Sequence, residues 1–89
     1  MEVKEYLKSI GIVKDGIQKD SSYIIDIENS NEYGKFYSIL DKVNDLDETD
    51  NSTITSDKSI IEYEWDDYIF ELTADFDSDK YSLIVKEKW

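Results

Sequence analysis

The sequence predicts an α+β domain: an antiparallel sheet of about four strands with two helices on one face, in the order α-β-α-β-β-β. Three observations lead there. Apolar residues recur at helical spacing in two stretches, and apolar and polar residues alternate in four others. The 89 residues, 39% hydrophobic with twelve aromatics, can bury one core and no more. Residues 1–89 are therefore read as a single acidic domain.

Val3, Tyr6, Leu7 and Ile10 fall at i, i+3, i+4 and i+7, and Gly11 follows where a helix takes a left-handed cap. Asp15-Gly16, between Val13 and Ile17, signals a tight turn or a minimal hairpin. From Ser22 to Glu28 the chain alternates, with Tyr23, Ile25 and Ile27 on one side, as in a strand with one apolar face. From Glu32 to about Leu46 the period lengthens. Tyr33, Phe36, Tyr37, Ile39, Leu40 and Val43 make a stripe that would roof the sheet. Asn29-Ser30-Asn31 supply N-cap side chains, and Glu32 is a capping-box partner.

Asp45 to Asp57 is polar and acidic, a loop leading into an irregular strand around Thr53 to Thr55. Three strands then follow in series: one on Ile61, Tyr63 and Trp65, one on Tyr68, Phe70, Leu72, Ala74 and Phe76, and one on Tyr81, Leu83 and Val85. Asp66-Asp67 and Asp77-Ser78-Asp79-Lys80 are the turns of this meander.

Charge is the most unusual property. There are 22 Asp and Glu against 10 Lys, with no Arg, His or Cys, for a net charge of −12. Such a field repels nucleic acid and anionic membranes and attracts basic surfaces. The missing Arg removes the planar fork that reads phosphates and base edges, so direct nucleic-acid binding is not expected. The absence of Cys fits a reducing compartment. No signal peptide or membrane span is read, and the expected location is cytoplasmic.

Catalysis is not expected either. Without His, acid-base chemistry would rest on carboxylates or Lys with shifted pKa, and Ser22, Ser59 and Ser82 have no base to activate them. Asp75-Phe76-Asp77-Ser78-Asp79 resembles the opening of an EF-hand loop. However, Lys80 replaces the turn Gly and Lys86 the bidentate Glu, so no metal site is assigned. Asp45 to Asp50 reads as a solvated loop, and Asn51-Ser52-Thr53 as a chance glycosylation sequon. No cofactor is implied.

The charge is concentrated in one half of the chain. Residues 1–40 hold seven acids and five Lys, whereas residues 41–79 hold fourteen acids and two Lys. A two-residue turn at Asp66-Asp67 would set Trp65 opposite Tyr68 and Glu62 opposite Glu71, leaving Glu62, Glu64, Glu71 and Asp75 together on the face away from the core. Same-face residues on a strand repeat about every 6.7 Å, so Glu62/Glu64 and Asp75/Asp77 would form ladders of anions on the scale of a phosphate backbone. Exposed acids also keep a domain soluble and protect sheet edges. A charge of −12 exceeds the magnitude of about two to eight that solubility asks, which favours a contact role for the cluster. The candidate contact residues are Asp45, Asp47, Glu48, Asp50, Glu62, Glu64, Asp66, Asp67, Glu71, Asp75, Asp77 and Asp79. Trp65, Tyr68 and Trp89, at strand ends, read as core or as interface anchors.

In size, acidity and α+β pattern the chain resembles small phage-borne inhibitors, the anti-CRISPR and DNA-mimic class. That resemblance implies an inhibitor that blocks nucleic-acid access by occupying the basic surface of a nucleic-acid enzyme such as a CRISPR effector or nuclease. An immunity protein or antitoxin that neutralises a cognate nuclease or toxin is the alternative. An acidic adaptor domain is a further one.

Overall fold

The computed structural model describes residues 3–87. Helix α1 (Val3–Ser9) buries Tyr6 and Leu7 and stops at Gly11, whose φ of +108° only glycine adopts without strain. Ile12 N–H donates to Leu7 O at 2.8 Å and Gly11 N–H to Lys8 O at 3.2 Å, the two bonds of a Schellman cap. Ile12 is itself buried, which seals the cap and turns the chain toward the sheet.

The first hairpin differs from the sequence expectation. Strands β1 (Ile17–Lys19) and β2 (Ser22–Ile27) turn at Asp20-Ser21, with Asp20 at φ +53°, and not at Asp15-Gly16. Gly16 serves close approach instead. A Cβ there would lie 2.5 Å from Ile24 O, and the Gly16 N–H donates to the Tyr23 hydroxyl at 2.8 Å.

Helix α2 (Ser30–Lys42) begins as its cap residues predict. The Asn29 side chain accepts from Glu32 N–H at 2.9 Å, and the Glu32 carboxylate accepts from Glu28 N–H and from Lys14 Nζ. The helix ends four residues before Leu46, with Val43 extended. Asn44 and Asp45 follow, residue types whose side chains compete for backbone hydrogen bonds. Leu46 still reaches the core, now from a turn.

The remaining strands are β3 (Asp47–Glu48), β4 (Thr53–Ile54), β5 (Lys58–Trp65), β6 (Tyr68–Asp75) and β7 (Lys80–Glu87). The sheet has seven strands rather than about four, in the spatial order β1-β2-β7-β6-β5-β3, with β4 also on β5, and each pairing is antiparallel. The chain order is therefore α-β-β-α-β-β-β-β-β. Of the three short, wholly exposed strands, β4 falls where an irregular strand is expected around Thr53 to Thr55, whereas β1 and β3 are too short to show an alternation.

The inner face carries Tyr23, Ile25 and Ile27 of β2, Ile61 and Tyr63 of β5, Phe70, Leu72 and Ala74 of β6, and Tyr81, Leu83 and Val85 of β7. Tyr6 and Leu7 of α1 and Phe36 and Leu40 of α2 complete this core. No described helix is long and apolar enough to cross a membrane.

Candidate interaction surface

The β5–β6 hairpin forms as its pattern predicts. Asp66-Asp67 is the turn, with Asp66 at φ +54°, a conformation that Asp tolerates better than most residues. Trp65 then pairs with Tyr68, Glu64 with Ile69 and Glu62 with Glu71, so alternate side chains Glu62, Glu64, Glu71 and Asp75 do share the outer face.

They do not form a free row of anions. Glu62 organises the loop between β3 and β4: its carboxylate accepts from the Thr49 hydroxyl at 2.8 Å and from Asn51 Nδ2 at 3.2 Å. Its backbone is satisfied by the same loop, through Thr49 N–H at 2.9 Å and the Ser52 hydroxyl at 3.0 Å. Glu71 is paired with Lys86 Nζ at 3.1 Å. Asp75 is flanked in register by Lys58 and Lys80 and accepts from Ser78 N–H. That bond, with the Ser78 side chain and the nearby Lys58, holds the Asp75 carboxyl below its usual range. Asp77 lies in the turn after β6, so it makes no strand ladder with Asp75. Ile24 and Ile84 complete the row of Glu71 and Glu62, and Ile69 sits between Lys86 and Glu64. The outer face is thus mixed in charge and part apolar, because neighbouring strands bring Lys and Ile to it.

The exposed carboxylates gather at the two ends of the sheet. At one end stand Asp66 and Asp67 of the β5–β6 turn, with Glu64 opposite Asp47 and with Glu48 and Asp45 just beyond. The β1–β2 turn and the end of β7 add Asp20 and Glu87, which sequence reasoning missed because β2 pairs with β7 across 53 or more residues. At the other end stand Asp75, Asp77 and Asp79, joined by Asp57, whose carbonyl accepts from Phe76 N–H at 2.8 Å. Asp79, at φ +54°, also accepts from the Tyr81 hydroxyl, which together with burial raises the Tyr81 pKa. Eight-residue strands separate the two acidic ends by about 23 Å. Asp50 lies between them, exposed on the edge loop.

Two phenols below this surface have no partner among the described residues. The hydroxyls of Tyr6 and Tyr63 are buried without a hydrogen bond. Burial first, and then Asp45 for Tyr6 and Asp41 and Glu48 for Tyr63, raises both pKa values. Tyr6 stacks on Trp65 with ring centroids 3.8 Å apart, and Trp65 stacks in turn on Tyr68 at 5.7 Å. Trp89 lies outside the described residues. No group of three or more carboxylates among the described residues is placed to hold a metal ion.

No family model matches the chain, and neither a curated protein nor a solved structure matches it.

Proposed function

We propose that this chain is a non-enzymatic inhibitor whose acidic ends occupy the basic nucleic-acid-binding surface of a target enzyme, a nuclease or CRISPR effector being the kind of target meant. The supporting observation is the placement of carboxylates at both ends of the β5–β6 hairpin, about 23 Å apart. Lys58 and Lys80 flank Asp75 and Lys86 pairs with Glu71, so the reading rests on the carboxylates of the turns and edge loop and not on a continuous ladder. A field of this sign and size steers a cationic partner into contact and weakens with salt.

The test is capture from a host lysate on immobilised protein. The expected result is retention of a nucleic-acid enzyme at low ionic strength, with release by high salt and by added duplex. Retention that ignores both salt and nucleic acid would overturn the reading. Capture of a dedicated toxin, undisturbed by nucleic acid, would favour an immunity protein instead.

A further inference from the structure

A depression of about 430 Å³ opens between α1, the β1–β2 turn and the ends of β6 and β7. Two aromatic residues, Tyr68 and Tyr23, and two acidic residues, Asp20 and Glu87, are among those that line it. Tyr68 is the last ring of the Tyr6–Trp65–Tyr68 series and is supported by its stacking on Trp65. The turn that carries Asp20 is held by Gln18, whose Nε2 donates to Asp20 O at 3.1 Å and to Ser22 O at 3.0 Å. Lys4, the one cation of the lining among the described residues, has its ammonium 3.3 Å from Asp15, a residue that is not part of the depression.

We propose that this depression receives a single cationic side chain, arginine above all, from the basic partner; the inference rests on the basic-partner reading and names its recognition chemistry. An aromatic face attracts a cation through its quadrupole, and carboxylates beside it supply the opposite charge. A guanidinium suits the site better than an ammonium, because it is planar, stacks on tyrosine and forks onto a carboxylate with less cost in lost hydration. The chain contains no arginine of its own to compete for the site.

The test uses N-acetyl-argininamide and its neutral isostere N-acetyl-citrullinamide, titrated into the isotope-labelled full chain and followed by amide chemical shifts. The expected result is saturable change confined to residues 3–4, 18–23, 68 and 85–87, with the citrulline compound about tenfold weaker or more. Asp20→Asn with Glu87→Gln should weaken binding about fivefold or more, since Asn tolerates the positive φ and the fold is kept. Tyr68→Leu should weaken it about threefold or more and Tyr68→Phe should restore it, which a purely packing role for the ring would not produce. A flat titration, or equal response to both compounds, overturns the pocket. So does equal affinity in the double variant. Because the probe needs no macromolecular partner, such a result leaves the basic-partner reading to its own capture experiment.

Discussion

Glu62 and Glu71 stand directly opposite each other on β5 and β6, yet each carboxylate is engaged by a different neighbour: Glu62 by Thr49 and Asn51, Glu71 by Lys86. Like charges so placed cost a few tenths to about 1 kcal/mol in a sheet. Here the arrangement is offset by charge-assisted bonds, and one of the two glutamates becomes the anchor of an edge loop. Glu62→Ala should therefore destabilise the fold by about 1–2 kcal/mol. Hydrogen exchange should quicken at the amides of Thr49 and Glu62, while the amides that pair β6 with β7 keep their relative protection.

Contact by the acidic ends is tested with exposed residues away from the positive-φ turn positions. Asp47→Lys with Asp67→Lys at one end, and Asp57→Lys with Asp77→Lys at the other, spare the positive-φ positions Asp66 and Asp79. Each pair should slow association with the captured enzyme by about an order of magnitude at low salt, with thermal stability little changed. Stopped-flow association rates at two ionic strengths measure this. An effect from one pair alone would identify the end that makes contact.

Tyr63→Phe should leave stability unchanged or raise it by up to about 1 kcal/mol, because it deletes a buried hydroxyl that has no partner. The sign of its pH effect follows from the raised pKa. The phenol's stabilisation is complete below its ordinary value of 10.0 and is lost as pH rises above that toward the higher folded value. Urea melts from pH 9 upward, about the range where tyrosines begin to ionise, should thus show a shallower alkaline decline in the variant.

The acid limb depends on Glu32. Its hydrogen bond from Lys14, aided by Glu28 N–H, lowers its pKa below the ordinary 4.5. Its contribution is complete above that value and is lost as pH falls through the lower folded value. Glu32→Gln should cost about 0.5–1 kcal/mol at neutral pH and flatten the acid side of the stability profile. Denaturant midpoints between pH 3 and pH 7, about the range over which carboxylates titrate, check this.

Two glycines should respond in opposite directions. Gly34, within α2, has open space where a Cβ would go, so Gly34→Ala should stabilise by about 0.5–1 kcal/mol. Gly16→Ala should destabilise by about 1–3 kcal/mol, because the new methyl meets backbone at Ile24. Thermal melts of the two variants read both effects.

What the sequence made legible was local. The start of α2 was legible because Asn29 and Glu32 cap it, and the register of β5 on β6 because Asp66-Asp67 allows one pairing. The rest depends on partners distant in the chain. Nothing near Glu71 announces Lys86, and nothing near Glu62 announces Thr49 and Asn51, since those contacts exist only once β7 and the edge loop are in place. The excess of acid in residues 41–79 is plain from the sequence, but the free ladder inferred from it does not form, because lysines from other strands could not be assigned to its face. Asp15-Gly16 misled for a related reason: its glycine answers a steric demand from β2 and not a turn.

The position of β7 has a consequence for how the protein is made. It lies between β6 and β2, so the N-terminal hairpin has no central neighbour until residues 80–87 have been synthesised. A nascent chain on the ribosome would carry α1, β1, β2 and α2 with their apolar sides exposed until β7 emerges and closes the long loop. Folding of the sheet is therefore expected to wait for β7 and then to be abrupt, with holdase chaperones meeting the unpaired N-terminal elements first.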